Sequence, residues 1–365
     1  MSRPSVGLLS LAVRFPGEAR GNDYWRARYP EVVATARERT LSRVWSPSGG
    51  ATANASPFLA AMAPFMDDPF RGAVSRRVLA PDEPVIRIEL PAAQEALAAA
   101  SMTPADVDLL LSSAFLPDQP GIGNAAFLAS TLGLRCPAWN LETACSSALV
   151  SLETACALVQ TGRYRRVLVV ISCAYSKVTP EADTLSWSVG DGATAFVVGP
   201  VPDGEGVLGM KTLNTASHCG AMYFELDAAE GAPRVVMRAG REASGALRTT
   251  SEEMAVACCR GAAEAAGVSL GDIDFFAVPT PVAWYAPFCA SLLGFPMEKT
   301  VNSHARYANT GPVLMPTNLH LGATFGKVKP GSLVMLHTVG IVANASACVM
   351  RWGNVGLGPP DEGPA

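Results

Sequence analysis

The sequence predicts an α/β protein in which one unit is used twice, and two matched pairs of segments carry that prediction. Residues 102–111 read Met-Thr-Pro-Ala-Asp-Val-Asp-Leu-Leu-Leu, and residues 268–277 read Val-Ser-Leu-Gly-Asp-Ile-Asp-Phe-Phe-Ala. Asp106 and Asp108 therefore fall on Asp272 and Asp274 at an offset of 166. Val167-Leu168-Val169-Val170-Ile171 falls on Leu333-Val334-Met335-Leu336-His337 at the same offset. Short apolar runs flanked by helical stretches read as buried strands of a βα-alternating sheet. One long doubly wound sheet with accidental similarity is the alternative.

The elements follow in order. Residues 5–13 alternate small and apolar like a first strand, and residues 17–70 mix Pro, Gly, Trp and Arg as an added helical cap. The alanine-rich stretches 92–100 and 255–266 are helical, and each leads into one of the duplicated strands. A helix over 146–161 presents Leu149, Leu152, Cys156 and Val159 on one face, and a second helix spans roughly 312–323. Residues 1–200 make the first half and 201–352 the second; the Gly- and Pro-rich tail 353–365 is expected to be flexible.

Apolar residues make up 49% and charged residues 16% of the 365, which describes a well-buried globular protein. The net charge of −4 and the absence of a Lys/Arg run argue against nucleic acid. Arg163, Arg165 and Arg166 read as a solvated loop. No apolar run is long enough to span a bilayer, and the N-terminus carries no signal-type segment. Nine scattered cysteines without a C-x-x-C pair suggest neither disulfides nor a zinc site, so the expected compartment is a reducing cytoplasm.

The chemistry is expected at Cys145, in Trp139-Asn140-Leu141-Glu142-Thr143-Ala144-Cys145-Ser146-Ser147-Ala148, where an extended segment turns into a helix. A thiol in the first turn of a helix feels the positive dipole end and the unpaired N–H groups, which favour thiolate. A small buried core thiol is the plain alternative. Adding 166 to 145 reaches Gly311, in Tyr307-Ala308-Asn309-Thr310-Gly311-Pro312. Pseudo-twofold symmetry would bring both helix starts to one pocket and make Asn309 the partner of Cys145.

Ala144-Cys145-Ser146-Ser147-Ala148, Gly190-Asp191-Gly192-Ala193-Thr194-Ala195 (read as a hairpin) and Asn309-Thr310 together resemble the thiolase superfamily. Its ketosynthase III branch is the nearest match, over about residues 70–352. The resemblance implies a thiolase fold, a five-layer αβαβα arrangement of two duplicated halves, in a homodimer. It also implies an acyltransferase in which Cys145 attacks an acyl thioester of coenzyme A or of a phosphopantetheine carrier protein. No cofactor or metal would be permanently bound, and a small-molecule acceptor would take the acyl group. The oxyanion would rest on the amide of Cys145 and one from loop 340–343, taken as Ile341.

The pattern breaks at one place. Pro279-Thr280-Pro281-Val282-Ala283 stands where the family carries Pro-His-Gln-Ala-Asn, so Thr280 replaces a histidine. Threonine donates one hydrogen bond but holds no proton near neutral pH. Losing such a donor typically costs about 10²–10³ in rate, which disfavours decarboxylation of a malonyl thioester. His304 and His218 are the candidates for a relocated histidine; His337 reads as a core residue and His320 as the weakest candidate. Glu142 reads as solvated or interfacial. Three functions follow: acyl transfer to an acceptor in specialised, polyketide-type metabolism, decarboxylative condensation with a relocated histidine, or a non-catalytic partner subunit in a ketosynthase heterodimer.

Overall fold

The computed structural model describes residues 4–44, 57–228, 233–240, 243–340 and 342–361. The first half runs β1 (Val6–Arg14), β2 (Glu18–Gly21), α1 (Asn22–Arg28), α2 (Pro30–Val44), α3 (Pro57–Met62) and β3 (Ser75–Val78). It continues through α4 (Ile86–Ala99), β4 (Leu109–Phe115), α5 (Ala125–Leu132), β5 (Ala138–Asn140), α6 (Ser147–Gln160), β6 (Val167–Ala174) and β7 (Asp191–Pro200). The second half holds β8 (Gly206–Asn214), β9 (Met222–Asp227), β10 (Arg234–Ala239), α7 (Ala243–Ala266), β11 (Phe275–Ala277) and α8 (Tyr285–Leu293). It closes with α9 (His304–Tyr307), α10 (Leu314–Thr324), β12 (Leu333–Val339), β13 (Asn344–Arg351) and β14 (Gly356–Leu357).

The duplication is visible in the sheets. One has the order β14-β1-β7-β6-β4-β5 and the other β11-β12-β13-β8, so β1, β7, β6 and β4 repeat as β8, β13, β12 and β11. The pairing senses repeat too: β4 runs parallel to β6 as β11 does to β12, and the remaining equivalent pairs are antiparallel. Strand starts 109 and 275, and 167 and 333, keep the offset of 166. The Thr103–Asp106 and Ser269–Asp272 capping boxes keep it as well.

Burial sets the layers. Leu149, Leu152, Cys156 and Val159 of α6 and Met315 and Leu319 of α10 lie in one core between the two sheets. The outer face of the larger sheet packs on α4 and α5, and that of the smaller sheet on α7 and α8. The result is five layers, αβαβα, with α6 and α10 in the middle.

Two outer regions differ from expectation. The cap is helical where described, but Glu18–Gly21 is a strand paired with β3, and residues 45–56 of the cap lie outside the described residues. The tail is not loose up to Asp361. Gly356 and Leu357 pair with Ser10 and Leu11 of β1, and Gly358 N–H donates to the Leu11 carbonyl at 2.9 Å. A Cβ at Gly356 would lie 1.9 Å from the Ala99 carbonyl oxygen, so glycine here permits close packing. Asp361 then accepts from Arg77 Nη2 and Tyr307 Oη, both at 3.1 Å, and residues 362–365 lie outside the described residues.

Candidate functional site

Cys145 sits in the 3-10 turn Ala144–Ser146 that starts α6. The turn is reached through Ala144 at φ +53°, a left-handed conformation that costs a non-glycine residue about 1–2 kcal/mol. Glu142 holds it: its carboxylate accepts the Ala144 N–H at 2.7 Å, Ser147 Oγ at 3.1 Å and Ser113 Oγ at 3.0 Å. Burial raises the Glu142 pKa, offset by these donors. Glu142 as a whole is nonetheless exposed at the surface, as expected of a solvated residue, and its carboxylate also anchors the turn that carries the nucleophile.

The matching turn begins at Gly311, φ +55°, and leads into α10. Gly311 therefore matches Ala144 rather than Cys145, one position off the sequence offset. Asn309 is fixed from two sides. Its N–H donates to the Ser188 carbonyl at 2.8 Å, and its carbonyl accepts from Gly190 N–H at 2.9 Å. Its Oδ1 accepts the Gly311 N–H at 2.9 Å, which leaves the Nδ2 end to donate. Gly190 has no room for a side chain, since a Cβ there would meet the Tyr307 carbonyl oxygen at 2.7 Å.

Cys145 and Asn309 line one cavity of about 330 Å³, whose walls include Tyr175, Leu185, Met222, Val282 and Leu314. That volume and the mainly apolar lining suit a small ligand with an apolar body. A larger surface groove, about 580 Å³, lies under the cap along Glu31, Phe70 and Trp187, and Ser188 borders both.

Tyr175, the first residue after β6, lines the cavity and was not singled out by the sequence reading. Its hydroxyl lies 3.7 Å from Cys145 Sγ. Burial pushes the thiol pKa up, the Tyr175 hydroxyl pulls it down, and Glu142 pushes it up further. The helix-start thiol is thus not biased to thiolate as expected, because desolvation outweighs the hydrogen bonds from Tyr175 and the Cys145 backbone that favour the charged form.

The other sequence candidates lie elsewhere. Pro279 and Pro281 face the cavity, but Thr280 between them turns to the opposite side, as alternation in extended chain dictates. Its Oγ1 meets Ser303 Oγ at 3.2 Å and accepts from Asn318 Nδ2 at 3.2 Å. His304 is buried, with Nδ1 3.0 Å from the Thr280 carbonyl oxygen. Burial brings its pKa down to about 4, so the imidazole stays neutral. None of the four histidines lines the cavity: His218 is in the 216–218 turn, His337 bonds the Ser346 carbonyl and His320 the Gly358 carbonyl.

Ile341 lies outside the described residues. Its neighbour Gly340 packs against the start of α6, since a Cβ on it would sit 3.4 Å from Ser146 N. Asp191 is no hairpin residue; it opens β7 fully buried and accepts the Leu79 and Ser176 N–H groups at 2.8 and 2.9 Å. All nine cysteines are free thiols. Among the described residues no cluster of His, Cys, Asp or Glu could hold a metal, and no helix is long and apolar enough to cross a membrane.

Two duplicated halves meeting at a cysteine and an asparagine define a thiolase-type fold. The family profiles for 3-oxoacyl-(acyl-carrier-protein) synthase III match residues 139–216 and, for its C-terminal part, 263–352. The β-ketoacyl-(acyl-carrier-protein) synthase III of Symbiobacterium thermophilum is 31% identical over 294 residues, which span 77% of this chain and 88% of that protein. The chain belongs to the ketosynthase III family of transferases. Among solved structures, the synthase III of Pseudomonas aeruginosa PAO1 aligns with a TM-score of 0.76 at 21% identity, over 96% of this chain and 98% of that one. The priming β-ketosynthase of the R1128 polyketide pathway aligns at 0.76 and 22%, over 98% of both chains.

Proposed function

We propose that this enzyme is an acyltransferase of specialised, polyketide-type metabolism that loads an acyl group onto Cys145 and passes it to an acceptor other than malonyl thioester. The observation that carries the reading is the cavity itself: a cysteine and an asparagine share it, and no histidine does. The donor is an acyl thioester of coenzyme A or of a phosphopantetheine carrier protein, with its pantetheine arm in the groove that meets the cavity at Ser188. Sγ attacks the thioester carbonyl, and the departing thiol takes the proton. The oxyanion faces the N–H of Cys145 at the start of α6. Asn309 Nδ2 is the donor for a carbonyl of the acyl group or the acceptor.

No cofactor is needed for these steps. The protein works as a homodimer in the cytoplasm; β5 ends the larger sheet with Trp139 and nearby Ile122 and Phe127 exposed, an edge and apolar surface suited to a second copy.

The names of the sequence relatives favour a second reading, decarboxylative condensation, which here would have to run with Asn309 and without a cavity histidine. A chase separates the two. Acyl-loaded enzyme is mixed with alcohol, amine and malonyl-thioester acceptors, and products and CO₂ are measured. Acyl esters or amides without malonyl-dependent CO₂ support transfer; CO₂ with a β-keto thioester overturns it.

A further inference from the structure

We propose that Tyr175 is a catalytic residue, its hydroxyl donating the hydrogen bond that stabilises the Cys145 thiolate as it attacks. The inference rests on the acyl-transfer reading above and assigns the thiolate partner in a cavity that lacks histidine.

Placement is the first argument. The Tyr175 side chain is fully buried, yet it lines the cavity and comes within 3.7 Å of Sγ, hydrogen-bond range for sulfur. The second is rigidity. Ser176, next in the chain, is held by Asp191 through its N–H at 2.9 Å and through its hydroxyl. The ring stacks edge-on against Phe115 at 5.2 Å between centroids. On the far side, a Cβ on Gly311 would lie 3.4 Å from the phenol oxygen and 3.1 Å from Cys173 Sγ, so the glycine leaves this space to the ring. A hydroxyl locked in place beside a reacting atom is a preorganised donor.

The third argument is protonation. The titratable groups facing the pair are Cys173 at the end of β6, Glu142 beneath the turn and Asp191 at the start of β7. None is a cation, and burial with these neighbours holds the phenol well above its ordinary range. Tyr175 therefore stays protonated and can only donate to a thiolate. In acylation the Sγ–C bond forms, the carrier's S–C bond breaks and the Cys145 proton leaves on the carrier thiol. Tyr175 keeps its own proton throughout.

The test is the pH profile of Cys145 alkylation by iodoacetamide, followed at Cys145 by peptide mass, in Tyr175→Phe and in enzyme with a fluorinated tyrosine at 175. Removing a hydrogen bond to a charged group weakens that state about tenfold or more, so the Phe midpoint should rise by about one pH unit. The more acidic fluorinated phenol is a stronger donor and should move the midpoint down. Unchanged midpoints in a folded Phe variant, or no downward movement with the fluorinated residue, would overturn the proposal. If Phe does not fold, the fluorinated enzyme alone decides. Alkylation needs no acyl donor, so a shifted midpoint without acyl loading would sink the transfer reading and leave Tyr175 as the thiolate partner.

Discussion

Gly190→Ala should disable transfer while sparing the nucleophile. A Cβ at 190 would sit 2.7 Å from the Tyr307 carbonyl oxygen and 3.2 Å from that of Arg77. Ordinary contact begins at 3.4 Å, so the Tyr307 backbone or the 190 strand must move by about 0.7 Å. The Asn309 loop cannot absorb that shift freely, because Gly190 and Ser188 hold Asn309 through both backbone bonds. Ala308, between Tyr307 and Asn309, is already at φ 54°, ψ −148°, a region costly for alanine. A misplacement of about 1 Å at a catalytic group costs about 10²-fold, so single-turnover transfer should fall by roughly that factor. Cys145 is on another turn and should still react with iodoacetamide at the wild-type rate. The assay compares both rates in one preparation with a melting curve. Transfer within twofold of wild type would refute the argument that Gly190 positions Asn309.

Three further substitutions, at two residues, read out carboxylates that hold the fold around the site. Glu142→Ala leaves the Ala144 N–H to water and should cost about 1–2 kcal/mol of stability, while Glu142→Gln keeps the acceptor and removes the charge that raises the Cys145 pKa. The Gln variant should therefore fold and alkylate with a lower midpoint; an unchanged midpoint would show that the charge does not reach the thiol. Glu89 is fully buried, with its pKa pushed up to about 7 by burial against hydrogen bonds from Ser172 Oγ at 2.6 Å and Asn124 Nδ2 at 2.8 Å. The folded state then holds the extra proton between pH 4.5 and 7, so stability falls as pH rises through that window, by about 3 kcal/mol. Glu89→Gln should remove this slope in unfolding free energy against pH, and a slope equal to wild type would show that Glu89 is not its source.

Much of the architecture was legible because buried strands and capping turns carry local signals. The offset of 166 between Leu109 and Phe275, and between Val167 and Leu333, reappears in the strand starts and in the pairing order. Cys145 and Asn309 were legible as motifs. Tyr175 was not: it meets Cys145 only because β6 delivers it beside the start of α6, a tertiary fact without a sequence period. Thr280 was read as standing in for a catalytic histidine, but it turns away from the cavity, because alignment assigns a position and not a side-chain direction. The tail was misread because glycine and proline signal looseness, whereas Gly356 and Gly358 permit close packing on Ala99 and Ala12.

Acyl loading of Cys145 tests the central claim most directly. The intact chain is weighed after exposure to a panel of acyl-coenzyme A and acyl carrier-protein thioesters, for wild type and for Cys145→Ala. An acyl mass that forms on wild type, maps to the peptide bearing Cys145 and is absent from Cys145→Ala is the predicted result. A wild-type chain that takes no acyl group from any donor, or an adduct that survives in Cys145→Ala, would contradict it.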